Sequence, residues 1–171
     1  MASAPLAVGD LLLAVVHGRP GAKVVAFDKR GGRERWRALS PDAGGPGYSQ
    51  PILIDADGRR QAIVWHAGAV SALDPAFGAV LWEYEFPVRM ETPIATPVWQ
   101  APHLLVSAFF DGARLLRLGP GGAEVVWRTA SSSSVAADSL RALMAAPIVD
   151  GDYLYGVSSY GELRCLRLAD G

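Results

Sequence analysis

The sequence predicts an all-β fold, a partial β-propeller of four-stranded antiparallel blades, three complete and a fourth truncated. Three observations predict it: a tryptophan recurring at 46 and 45 residues, a proline recurring at 46, 46 and 50, and a turn-rich composition. A repeat of about 45 residues is the length of one four-stranded blade. Gly 19 and Pro 12 occur without the period of a collagen or a low-complexity tract, as many short strands joined by turns require.

The tryptophan belongs to a longer motif. Val24-Val25-Ala26-Phe27-Asp28 is followed by Gly32 and Trp36, and Val70-Ser71-Ala72-Leu73-Asp74 by Gly78 and Trp82. In both, glycine lies four residues after the aspartate and tryptophan eight after it. A third copy, Leu115-Leu116-Arg117-Leu118-Gly119, aligns Gly119 with the aspartates and reaches Trp127 at the same offset, with Gly122 one position early. Independently, Pro5, Pro51, Pro97 and Pro147 each open a short apolar stretch. Two markers locked in phase specify repeats, which shared composition alone would not.

Each repeat divides into strands at its turn residues. The first blade takes strands near 5–8, 11–16, 23–27 and 33–38; the second near 51–54, 61–65, 69–73 and 79–86. The third takes 96–99, 104–109, 114–118 and 124–129; the fourth 147–149, 153–158 and 162–168. Runs such as Leu11–Val16 suit inner strands covered on both faces by neighbouring blades. The blades therefore span about 4–39, 50–87, 96–129 and 146–171 of a single domain. A connection over 130–145 holds one predicted helix, Val135–Met144.

The fourth repeat stops inside its hairpin. Aligning Cys165-Leu166-Arg167 with Ala72-Leu73-Asp74 places Gly171 at the hairpin glycine, four residues short of the next tryptophan. A strand edge and open blade faces then predict self-association. Cys165, on a strand, is expected to be a small buried residue.

The pattern Ala-x-Asp-x-x-x-Gly-x-x-x-Trp with proline-led inner strands resembles the quinoprotein (PQQ-like) propeller repeat, along the whole chain. That family includes quinoprotein alcohol dehydrogenases and BamB-type outer-membrane assembly factors. The resemblance implies a periplasmic or extracytoplasmic setting, although no signal peptide is visible here. For a dehydrogenase it would imply a quinone (PQQ) over calcium held by Glu, Asn and Asp, commonly beside a disulfide of adjacent cysteines. This chain has no asparagine and a single cysteine. PQQ with calcium is therefore the second reading, and no cofactor, metal site or catalytic residue is predicted.

Composition narrows the partners. Net charge is −1, with Lys+Arg 16 against Asp+Glu 17, so the basic excess of a nucleic-acid binder is missing. No apolar run approaches the roughly 18 residues of a membrane-spanning helix. The repeated Asp28, Gly32, Trp36, Asp74, Gly78, Trp82 and Trp127 read as structural: aspartate ordering the hairpin, glycine allowing positive φ, tryptophan filling the space between blades. Binding is expected from the loops of one rim, where a rigid scaffold collects variable residues. The candidates are His17, Tyr48, His66, Arg89, Glu91, Asp111, Arg141 and Tyr160, and the expected partner is a protein, a peptide or a small molecule. Ser131–Ser134 reads as a polar loop.

Overall fold

The computed structural model describes residues 3–18, 21–40, 44–129, 139–158 and 160–171. Among them lie fifteen strands, one short 3-10 turn and no α-helix. The first sheet contains β1 (Leu6–Val8), β2 (Leu11–Gly18), β3 (Ala22–Asp28) and β4 (Glu34–Ala38). The second contains β5 (Ile52–Ala56), β6 (Arg59–Trp65), β7 (Ala69–Leu73) and β8 (Val80–Glu85). The third contains β9 (Val98–Gln100), β10 (His103–Ala108), β11 (Gly112–Gly119) and β12 (Gly122–Arg128). The fourth has β13 (Ile148–Asp150), β14 (Tyr153–Val157) and β15 (Leu163–Arg167). Every sheet is an antiparallel meander with strands in chain order. The strands follow the repeat markers to within a few residues.

Burial explains the composition of each strand. All five residues of β7 are buried, whereas β8 alternates exposed and half-buried positions. Middle strands are covered by blades on both sides, while outermost strands keep a solvent face. Each pair of adjacent blades shares one apolar core. Leu13, Val24 and Ala26 of the first sheet meet Ala62, Val64 and Leu73 of the second. Ile63, Trp65 and Ala72 meet Leu104, Val106 and Leu116. Leu105 and Leu115 meet Leu154 and Leu166.

The repeated motif supplies the joints. Asp28 Oδ1 accepts the Arg30 and Gly31 N–H groups (3.0 and 2.9 Å), and Asp74 Oδ1 those of Ala76 and Phe77 (2.8 and 3.2 Å). Gly32 and Gly78 close these turns at φ 67° and 73°. A β-bulge then interrupts the outer strand in each complete blade: Trp36 pairs with Ala26 but Glu34 with Phe27, leaving Arg35 unpaired. Leu81 and Val126 hold the same position before Trp82 and Trp127. A bulge bends the strand and increases its twist, tipping each tryptophan toward the following blade. There the Trp36 and Trp127 rings lie against that blade's hairpin glycine, and Trp82 meets Gly122 through its Cβ and Cγ. A Cβ on Gly78 would sit 2.4 Å from Trp36 Cε3, and one on Gly171 3.0 Å from the Trp127 ring.

Three expectations are corrected. The third hairpin is longer and its turn tighter: Gly119 pairs with Gly122, and Leu115 with Trp127. Arg117, not Gly119, therefore matches the aspartates, and the tryptophan offset becomes ten. The helix over 135–144 is not found in its described part: none of residues 139–144 is helical, and 139–142 are buried. Ser107 Oγ holds that segment, accepting from Ala142 N–H (2.9 Å) and donating to Leu140 O (3.3 Å). The rest of that helix, with Ser131–Ser134, lies outside the described residues. Finally, Cys165 is exposed. It shares an exposed face of the fourth sheet with Tyr155, its partner in register, and with Ile148, which pairs with Tyr155.

Candidate functional site

One rim of the arc carries the loops from each second strand to the third, with the connections between blades. The opposite rim carries the hairpins that hold the repeated aspartates. On the first rim the structure joins five of the eight candidates: Arg89, Glu91, Asp111, Arg141 and Tyr160. Arg89 donates from its backbone N–H to Asp111 Oδ2 (2.9 Å) and from Nε to Oδ1 (2.9 Å), and its Nη2 reaches Phe110 O. Arg141, fully buried, donates from Nη1 to the same Phe110 carbonyl (2.8 Å). Phe109 packs edge-on to Phe110 (4.5 Å between centroids) and tilts against Tyr160 (5.7 Å). Phe109 and Phe110, which join the cluster, carry no chemical signature in the sequence.

This cluster holds a strained turn. Met90 and Glu91 both adopt left-handed backbone, at φ 60° and 53°. Side chains with a Cβ meet a cost of about 1–2 kcal/mol there. Asp111 anchors the turn at Arg89, and Glu91 Oε2 anchors its far end by accepting the Gly45 N–H (3.0 Å). Between those anchors Met90 stands 75% exposed. Non-glycine residues held this way collect at binding and switch sites.

The other candidates stand apart. Tyr48 is half-buried and its N–H donates to Pro93 O (2.8 Å). His17 falls near the end of β2, with its side chain outside the described residues. His66 is 3% exposed, closed in between the first two blades. Gly68 N–H points at its Nδ1 (3.4 Å), so Nε2 carries the proton and donates to Ser71 Oγ (3.0 Å). Ser71 in turn donates to Glu83 Oε2 (2.6 Å). Burial, aided by the nearby Lys23 charge and opposed by Glu83, lowers the imidazole pKa from 6.5 to about 4. Although serine, histidine and glutamate meet here, Ser71 is fully buried and gives its proton to the carboxylate. This order leaves no activated nucleophile facing a substrate.

Between the second and third blades the rim opens into a groove of about 670 Å³, bordered by Arg89, Asp111, Phe110 and Arg114. Arg114 lies over the Phe86 ring at 4.4 Å and donates from Nη1 to the Asp111 and Ala113 carbonyls (both 3.0 Å). Among the described residues no three His, Cys, Asp or Glu side chains converge to hold a metal. The chain contains no asparagine, one of the calcium ligands that the resemblance implies for a quinone site.

Blades joined by a bulge-borne tryptophan on the next hairpin glycine define a PQQ-like β-propeller arc. The chain belongs to the family described as outer membrane protein assembly factor BamB, whose model matches residues 1–171. BamB from Moraxella catarrhalis shares the fold at TM-score 0.69 and 16% identity, covering 96% of this chain and 48% of that one. The chain thus spans about half that protein's length. The computationally designed Ika4 protein aligns at TM-score 0.57 and 10% identity, covering 97% of this chain and 92% of that one. The quinohemoprotein alcohol dehydrogenase of Comamonas testosteroni aligns at TM-score 0.53 and 16% identity, covering 74% and 20%. No curated protein matches by sequence. No helix among the described residues is long and apolar enough to cross a membrane.

Proposed function

We propose that the chain is a non-catalytic propeller module that binds a protein or peptide over the rim formed by Arg89, Met90, Phe110 and Tyr160. The observation that carries it is the strained turn at Met90, held from both ends so that a large apolar side chain stands in solvent on the rim that also carries half-buried Phe109 and Phe110 and exposed Tyr160. Stability alone gives no reason to keep two left-handed residues under an exposed methionine. An unbranched thioether adapts to irregular partner surfaces, and aromatic and arginine neighbours are the residue types that anchor interfaces. The family match supports an extracytoplasmic scaffold at the outer membrane.

Photo-crosslinking in the native host tests this with matched positions. Met90 and Phe77 are 75% and 77% exposed on opposite rims. A benzophenone amino acid in place of Met90 should give discrete protein adducts, and one in place of Phe77 should not. Adducts of equal yield at both positions, or at Phe77 alone, would remove the rim assignment.

A further inference from the structure

We infer that the groove between the second and third blades binds an acidic side chain of an extended peptide, with Arg114 and Arg128 as its carboxylate receptors. The inference rests on the rim reading above and assigns chemistry to one part of it.

Arg114 and Arg128 sit directly opposite each other on β11 and β12, and both line the groove. Like charges facing each other across a sheet are destabilising. The same register position in the other complete blades is satisfied. In the second blade it holds Ser71 and Glu83, joined by a 2.6 Å hydrogen bond. In the first it holds Val25 and Arg37, with Arg37 bound to Glu34 at 2.6 and 2.7 Å. Only the third of these blades sets two cations there. Among the described residues no carboxylate lies within ion-pair distance of either arginine. Of the groove's two acids, Asp111 is engaged by Arg89, and Glu85 forms no ion pair among the described residues.

Three arginines and two carboxylates, Asp111 and Glu85, line the groove, which leaves it short of one negative charge beside two arginines that face each other in register. Arg114 is held in place by the Phe86 ring and two carbonyls, which leaves Nε and Nη2 with no hydrogen bond among the described residues. A planar guanidinium fixed in this way is suited to a carboxylate, which it can bind through two parallel bonds. A peptide, rather than a free acid, follows from the walls. β8 and β12 are the outermost strands of their sheets, each paired on one side only, so backbone groups along the groove remain for an added strand. Tyr84, Phe86 and Phe110 line the same groove as apolar surface for neighbouring residues.

Fluorescence anisotropy with a labelled Ala-Ala-Glu-Glu-Ala-Ala peptide tests the inference, beside its Gln-Gln counterpart and unlabelled glutarate as competitor. The glutamate peptide should bind at least 10-fold more tightly than the glutamine peptide, with the difference shrinking as salt rises. Arg128→Gln, at an exposed position with no side-chain hydrogen bond among the described residues, should abolish that preference while raising the melting temperature. Equal binding of the two peptides overturns the carboxylate assignment and leaves the rim reading standing. Failure of either peptide to bind, while Met90 still crosslinks, also overturns it. Glutarate competing as well as the peptide overturns the peptide as ligand.

Discussion

At the level of single residues, His66 shows how far a neighbouring blade changes a side chain's role. In sequence it follows a strand and begins a loop, which is why it belongs among rim candidates. In the fold the first blade covers it, and its neutral form is preferred by burial. The sign of the linkage follows. The folded-state pKa lies below the ordinary 6.5, so the unfolded chain binds a proton more readily. The contribution is complete above pH 6.5 and is lost as pH falls toward about 4. It amounts to about 3 kcal/mol across that window. Urea unfolding at pH 7.5 and 4.5 should show the loss, and His66→Gln should reduce the pH dependence. An unchanged slope in the variant would assign the acid sensitivity to other groups.

Arg89, Asp111 and Arg141 were legible as candidates because they depart from the repeat on one rim. Their mutual contacts were not, since Arg89 and Asp111 lie 22 residues apart on different blades. The facing of Arg114 and Arg128 was hidden for another reason. It depends on strand register, and the two-residue turn at Pro120-Gly121 changes the third hairpin's spacing.

At the level of elements, the hairpin and the tryptophan of the preceding blade form one unit. Its parts were legible because each does a physical job that restricts residue type. Asp28 and Asp74 accept turn N–H groups, the glycines take positive φ, and the indole needs a flat neighbour. The bulge that aims the indole was not legible, because its position holds a cation in Arg35 and aliphatic side chains in Leu81 and Val126. Two glycines separate the contact from the backbone requirement. Gly78 and Gly58 have nearly equal φ, 73° and 71°, but only Gly78 would press a Cβ against a ring. Both alanine variants meet the left-handed cost, and Gly78→Ala should lose about 1–3 kcal/mol more, the range for overpacking. Thermal melting of the pair measures the difference. Equal losses would mean that Trp36 moves aside freely.

At the level of the whole molecule, each blade uses one face for the blade before it and the other for the blade after. The fourth sheet has its first face in place, with Leu154 and Leu166 in the shared core. Its second face exposes Ile148, Tyr155, Val157 and Leu163, the last at 77%. Apolar surface of this kind associates. Sedimentation velocity of the 171-residue polypeptide should show concentration-dependent association, weakened by Leu163→Lys with Val157→Lys. A monomer at all concentrations would show that this face is stable in water.

The seating of each indole on the next hairpin also sets an order in time. Trp36 has no glycine to rest on until Gly78 exists, and Trp127 waits for Gly171. On a ribosome adding 5–20 residues per second, a gap of about 45 residues is roughly 2–9 s. A newly made blade spends that interval with its outer strand unlatched. The growing chain therefore always trails one unfinished blade, and the interval in which a chaperone or protease could engage it recurs with every repeat.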